Sequence, residues 1–281
     1  MASALVNELV ESGIHFGHRA SRWNPKMSPY IFGKRNLIHI IDLRETVKGL
    51  LRAKKFIAQV VSDGGDVLFV GTKRQARGAV EDHAKRCGMP FVTERWLGGT
   101  LTNFGTVRSR LGRLEELEAE EESGALQEYS KKAIATRTRE RKKIFRNLCG
   151  IREMNRLPKA LVIIDVSREH IAVREARKLG IPTVCLIDTD SDPDFADIPI
   201  PGNDDAIRSI DAVLKHLASA VDLGKKSRPA KSESKDESGG PRRRSKRVMA
   251  RAESDDAEAD KAAGAAGIAE SDAPPAPEAT S

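Results

Sequence analysis

The sequence predicts an α/β fold built on a doubly wound parallel sheet, and three observations carry that prediction. Residues 158–188 read PKALVIIDVSREHIAVREARKLGIPTVCLID, in which two short runs rich in β-branched residues, Ala160–Ile164 and Thr183–Ile187, flank a helical pattern. Strand, helix and strand in about thirty residues make a βαβ unit. Residues 66–93 repeat the order, so two such units point to one parallel sheet. The runs are apolar throughout instead of alternating, as expected of strands covered on both faces. Ligands and polar groups gather beyond the carboxyl ends of such strands, where Asp165 and Asp188 fall.

Taken in order, residues 3–12 predict a short amphipathic helix stopped by Gly13. His15 to Gly17 read as a short extended segment, and 19–29 as a loop carrying Arg19, Arg22, Trp23 and Lys26. Apolar runs at 30–32 and 37–41 around Gly33-Lys34-Arg35-Asn36 predict a hairpin. Asp42 precedes a helix over 43–62, with Val47, Leu50, Leu51, Ile57, Val60 and Val61 on its apolar side. After the turn Asp63-Gly64-Gly65 comes a strand over 66–70. Gly71-Thr72-Lys73-Arg74 then leads into a helix with the inner stripe Ala76, Val80, Ala84 and Cys87. Gly88 ends that helix, and 90–93 form another short strand.

Residues 95–103, RWLGGTLTN, have no periodicity and two glycines, and read as a loop. A helix over 104–122 carries Val107, Leu111, Leu114 and Leu117 in one row. Ser123-Gly124 breaks it, and a second helix is expected over 127–153. That second stripe is poor in its middle, at Arg137, Thr138 and Arg141. The two helices therefore read as an antiparallel coiled-coil hairpin, inserted between the βαβ units and projecting into solvent or onto a partner. In the second unit Ser167 reads as the N-cap, Ala172, Ala176 and Leu179 as the inner face, and Gly180 with Pro182 as the stop. Ile198 and Ile200 suggest a last strand, with Asn203 as the cap of a final helix. That helix has the stripe Ile207, Ile210, Leu214, Leu217 and Val221, and it ends near Gly224. Residues 225–281 hold twelve basic and eleven acidic residues and almost no large apolar ones. Burial cannot offset their ordering entropy, so a disordered tail is expected, basic first and acidic later. The expected division is an α/β domain over 1–103 and 154–224, a helical hairpin over 104–153 and the tail over 225–281.

Composition bounds the function. A chain of 281 residues with 39% hydrophobic content can build a substantial core. A net charge of +7 and a pI near 9.3 favour an anionic partner, of which nucleic acid is the commonest. Only 4% of residues are aromatic, too few for a sheet of exposed stacking rings. Cys87, Cys149 and Cys185 fit no metal spacing and read as small buried residues in a reducing compartment. No run suits a membrane span, and the N-terminus reads as a folded helix and not a targeting segment. A cytoplasmic protein is expected.

The motifs narrow this further. Gly71-Thr72-Lys73 follows a strand as a phosphate loop does. A Walker sequence, however, needs four residues between its first glycine and Gly-Lys, then Ser or Thr. Here Lys73 is followed by Arg74, and no G-x-G-x-x-G follows either strand. Lys73, Arg74 and Arg77 at a helix start suit an RNA phosphate instead. His15 and His18 have a metal-like spacing but no third ligand nearby, and read as a structural pair. The aspartates between 188 and 205 can be a polar loop with Asp204 and Asp205 at a helix start. The sharper but less favoured reading is a hard-cation site beyond the strand ends, built from Asp188, Asp204 and Asp205. His18 as a further ligand would favour zinc over magnesium. No catalytic triad is legible. The loops 19–26 and 95–103 mix basic, aromatic, glycine and amide residues: Arg19, Arg22, Trp23 and Lys26 in one, Arg95, Trp96, Gly98, Gly99, Thr102 and Asn103 in the other. With Lys34 and Arg35 they suit an irregular RNA surface. Trp23 and Trp96 can each be a stacking platform or a core anchor.

With these residues assembled, the chain resembles the bacterial small-subunit ribosomal protein number two family, universal family uS2. LVESGIHFGHRASRWNPKMSPYIFGKRNLIHIIDL is similar to that family's opening signature and PKALVIIDVSREHIAVREARKLGIP to its second. GTKRQA, ERWLGGTLTNF and PGNDDAIRSI are similarly characteristic, and the resemblance covers about residues 3–222. It implies a Rossmann- or flavodoxin-like sheet with an inserted helical hairpin, bound to small-subunit rRNA where head meets body. It also implies contact with neighbouring ribosomal proteins, among them the large mRNA-binding one, a place in the cytoplasmic ribosome, and no small-molecule substrate or required cofactor. The tail matches nothing in that pattern. A nucleotide-dependent enzyme on the same sheet is the competing reading, and a coiled-coil adaptor is a third. The enzyme lacks its glycine motif, and the adaptor leaves the basic loops unexplained.

Overall fold

The computed structural model describes residues 2–124 and 129–228. The expected tail lies outside the described residues from 229 onward, as does 125–128, where the second helix of the hairpin was expected to begin. Helix α1 (Ala2–Glu11) leads into a three-stranded antiparallel sheet, β1 (Phe16–Arg19), β2 (Ile31–Arg35) and β3 (Ile38–Ile41), in the order β1-β3-β2. Helix α2 (Leu43–Ser62) connects it to a five-stranded sheet: β4 (Val67–Val70), β5 (Phe91–Val92), β6 (Ala160–Ile164), β7 (Thr183–Ile187) and β8 (Ile198–Pro201). All pairings in this sheet are parallel, in the order β5-β4-β6-β7-β8. Helix α3 (Arg77–Cys87) joins β4 to β5, α6 (His170–Leu179) joins β6 to β7, and α7 (Ile207–Ser227) follows β8. Between β5 and β6 stand α4 (Phe104–Glu122) and α5 (Lys131–Leu148).

Every residue of β4, β6 and β7 is buried, because the period of two sends alternate side chains into two cores. Val67, Phe69, Val162 and Leu186 pack with α1, α2, α3 and α7. Leu68, Val70, Ile163 and Ile187 pack with α6, the roots of α4 and α5, and the loop holding Trp96 and Leu101. Helices α3 and α6 both end on a left-handed glycine, Gly88 and Gly180, as the sequence suggested.

Several expectations need correction. Asn203 does not cap α7: its Oδ1 accepts from Asp205 N (2.8 Å) and Ala206 N (3.0 Å), closing a turn ahead of the helix. Ser167 does not cap α6 either, since Asp165 Oδ1 takes the nearby Arg168 N–H (3.1 Å) and the helix starts at His170. Leu179 and Leu51 are exposed, while Val173 and Glu175 face inward on α6. Cys149 is exposed, whereas Cys87 and Cys185 are buried as expected. Helix α7 continues three residues past Gly224, for its last turn closes two other helices. Lys225 Nζ donates to the carbonyl of Cys87 at the end of α3, and Arg228 to that of Val61 near the end of α2. Helix α5 stops at Leu148 and gives way to a 3-10 turn, Cys149–Ile151.

The α4 row Val107, Leu111, Leu114 and Leu117 is buried, but α5 buries only Leu148. Polar residues stand there in place of an apolar stripe: Arg137, Thr138 and Arg141 line a small gap together with Leu117. Their charged ends pair across to α4, Arg137 with Glu120 (3.6 Å) and Arg141 with Glu121 (2.8 Å), while Arg152 reaches Glu118 (2.9 Å). No helix among the described residues is long and apolar enough to cross a membrane.

Candidate nucleic-acid interface and cation cluster

The strand order makes the gap between β4 and β6 the point where the sheet's connections diverge, the usual ligand crevice of such sheets. Here the chain's own side chains fill it. The buried Glu169 carboxylate accepts from both N–H and Oγ1 of Thr72, and Arg168 Nε adds a bond to Thr72 Oγ1 (3.2 Å). The Thr72 amide, which in a phosphate loop would face the ligand, is thereby used.

Lys73 turns inward. Its Nζ lies 2.7 Å from Asp204 and from Asp205 and 3.3 Å from Asp165. Burial opposes its charge, yet the surrounding carboxylates raise its pKa above the ordinary lysine value. Asp165 sits in the left-handed region (φ +68°), and its local bond to Arg168 N supports that conformation.

His18 closes the cluster from the small sheet. Gly17 permits the approach, because a Cβ there would lie 2.7 Å from Thr189 Cγ2. His18 N donates to Asp188 Oδ1 (3.2 Å) and Thr189 Oγ1 (3.0 Å). Its Nδ1 stands 2.8 Å from Asp188 Oδ2, without the alignment of a hydrogen bond, and its Nε2 stands 3.3 Å from Asp205. The Asp188 carboxylate, against the effect of burial, pushes the imidazole pKa up to about 9. Ligand atoms of His18, Asp188 and Asp204 all lie within 4.8 Å of one another. Asp204 is 1% exposed and its Oδ2 has no hydrogen-bond partner. Burial first, then Asp165 and Asp188, raise its pKa. Three of the expected metal residues thus converge, while Asp205 is half exposed at the rim. His15 does not join them; its ring packs on Phe16.

The basic candidates divide into two sets. Lys26 is paired with Asp192 (2.8 Å) and Asp194, Arg77 with Glu94 (3.0 Å), and Lys73 as described. Arg19, Arg22, Lys34, Arg35, Arg74 and Arg95 are exposed and have no acidic partner among the described residues. Arg74 and Arg95 follow the carboxyl ends of β4 and β5. The 19–26 loop is tied to the end of β7 by Asn24 N donating to Thr189 O (2.8 Å). Arg19, Arg22, Arg74 and Arg95 therefore belong to one end of the parallel sheet, while Lys34 and Arg35 lie at the β2–β3 turn of the small sheet.

The tryptophans part in the same way. Trp23 is 39% exposed, tilted against His39 at 5.3 Å. Trp96 is 5% exposed and donates Nε1 to Glu175 (3.1 Å), so it is a core anchor and not a stacking platform. In the same loop Gly98, Thr102 and Asn103 are exposed, and Gly99 adopts φ +91°. Sequence reasoning missed Glu169 and Glu175, which organise this end. The available signal was an acid on the apolar face of a helix, three positions from Ala172.

The topology and the self-filled crevice define a Rossmann-like α/β scaffold with basic loops at the ligand end of its sheet. A model of the ribosomal protein S2 family matches residues 9–224. The small ribosomal subunit protein uS2 of Rhodopirellula baltica is 62% identical over 225 residues, which is 80% of this chain and 86% of that protein. Those of Mycobacterium ulcerans and Mycobacterium tuberculosis H37Rv are 53% and 52% identical over 228 residues, 81% of this chain and 83% and 79% of theirs. The chain belongs to the ribosomal protein S2 family, whose members are structural components of the ribosome and not enzymes.

Proposed function

We propose that the chain holds small-subunit rRNA through the basic loops at the carboxyl end of its sheet, in the cytoplasmic ribosome where head meets body. The observation that carries this reading is the set of six exposed cations without acidic partners among the described residues, Arg19, Arg22, Lys34, Arg35, Arg74 and Arg95, together with the exposed ring of Trp23. Phosphates fix position through such cations, and an exposed ring adds stacking. Binding of an rRNA fragment by the whole chain and its Arg74→Ala and Arg22→Ala variants tests it. Each substitution is expected to weaken binding with little change in fold, and unchanged affinity in both contradicts the reading. A neighbouring ribosomal protein, the large mRNA-binding one among them, fits the small sheet, where Phe16, Phe32 (79% exposed) and Leu37 stand open. The helix pair α4–α5 is read as the inserted coiled-coil hairpin. The competing enzyme reading is disfavoured by the crevice that Glu169 and Lys73 already fill.

A divalent cation, zinc ahead of magnesium, suits the cluster of His18, Asp188 and Asp204, with Asp205 at its rim. Five carboxylates there, Asp165, Asp188, Asp190, Asp204 and Asp205, have only Lys73 and His18 as cationic side chains within 4.0 Å among the described residues. The buried, unpartnered Asp204 Oδ2 favours a further positive charge. Metal analysis after chelation and reloading is expected to find one ion in the native chain and far less in Asp188→Asn and Asp204→Asn. Equal content in all three removes the site.

A further inference from the structure

We infer that Glu175 is the positioning residue of the 95–103 loop, fixing the shape in which that loop meets RNA; this rests on the rRNA-binding reading above. The loop is irregular, so its backbone N–H groups have no ladder to join. One carboxylate on α6 collects them. Glu175 Oε1 accepts from Gly99 N (2.8 Å) and Trp96 Nε1 (3.1 Å). Its Oε2 accepts from Leu101 N (2.9 Å), Thr102 N (3.2 Å) and Thr102 Oγ1 (3.4 Å). Both oxygens are filled, and every donor comes from a loop more than seventy residues away in sequence.

Glu175 is 8% exposed. A buried carboxylate is costly unless it is hydrogen-bonded, and charge-assisted bonds of this kind are the stronger class. Burial acts to raise its pKa, but the bonds from Gly99, Leu101, Trp96 and Thr102 outweigh that and hold it below the ordinary value. The inner side of the loop is thereby pinned to α6, while Arg95, Gly98, Thr102 and Asn103 of the same nine residues stay exposed. Asn103 also accepts from Thr106 Oγ1 (2.8 Å), so the pinned loop sets the start of α4. A negative charge behind an RNA-facing loop opposes binding by Coulomb's law, and positioning is what compensates for it.

That opposition supplies the test. In Glu175→Gln an NH2 group replaces one acceptor, so one set of loop donors faces a donor. Affinity for a small-subunit rRNA fragment is expected to fall about tenfold. Amide exchange at Gly99, Leu101 and Thr102 is expected to speed up, with the salt dependence of binding unchanged. Loss of a negative charge alone tightens binding, so equal or tighter binding overturns the inference. Arg74→Ala and Arg22→Ala are measured alongside. If they weaken binding and Glu175→Gln does not, only this inference fails; if neither they nor it has an effect, the rRNA reading has failed. Should Glu175→Gln not fold, Trp96→Phe carries the test, because it removes one donor and keeps an aromatic ring. Faster loop exchange and weaker binding at constant salt dependence are expected, and an unchanged loop with unchanged affinity overturns the proposal.

Discussion

Trp96 fills the core on the α6 side of the sheet, and its truncation leaves both a cavity and an unmet acceptor on Glu175. Trp96→Ala is expected to lower stability by about 3–5 kcal/mol, read from the denaturant midpoint. Trp23→Ala removes a ring already open to solvent. Its stability should change by no more than about 0.5 kcal/mol, while rRNA affinity falls by about 1–3 kcal/mol at constant salt slope. A stability loss at Trp23 equal to that at Trp96 contradicts this division. The sequence shows both rings in glycine- and arginine-bearing loops, and nothing local tells them apart. The same holds for the cations. Lys26 and Lys73 look as available as Arg22 and Arg74, because their carboxylate partners lie 166 and 131 residues away. Residue type and loop position were legible; pairing across the sheet was not.

At the scale of elements, buried strands declare themselves. Ala160–Ile164 and Thr183–Ile187 stand where their apolar runs placed them, because both faces of those strands are covered. Ends are less legible, since a tertiary contact can extend or replace a local cap. The last turn of α7 is one such case. Lys225 and Arg228 satisfy terminal carbonyls of α3 and α2, a favourable place for positive charge. Ending the chain after Gly224 is therefore expected to cost about 1–3 kcal/mol, seen as a lower midpoint, and an unchanged midpoint would show that the clasp is idle. The 3-10 turn at Cys149–Ile151 is another case. It lies so close to β5 that an added Cβ at Gly150 would collide with the Phe91 carbonyl oxygen. Beyond its root, where Val107 and Leu111 join the sheet core, the helix pair buries Leu114 and Leu117 and has its own ion pairs. Replacing about 112–146, the part beyond that root, by a short linker should leave a cooperative thermal transition in the sheet domain, and its loss would argue that the helices are integral to that domain.

Across the whole molecule, charge is arranged in two shells at one end of the sheet. Inner carboxylates hold Lys73 and His18 and join the small sheet to the large one. Outer loops carry Arg19, Arg22, Arg74 and Arg95 without acidic partners among the described residues, the arrangement expected where phosphates dock. On the proposed reading the outer cations, and not Lys26 or Lys73, meet RNA phosphates. The most direct measurement is rRNA affinity as a function of salt for the native chain, Arg74→Ala and Lys26→Ala. Each phosphate contact contributes roughly 0.7–0.9 to the slope of log affinity against log salt. Arg74→Ala is expected to reduce the slope by about that amount, and Lys26→Ala, whose charge Asp192 and Asp194 already balance, to leave it unchanged. An unchanged slope in Arg74→Ala, or equal reductions in both variants, would contradict the account.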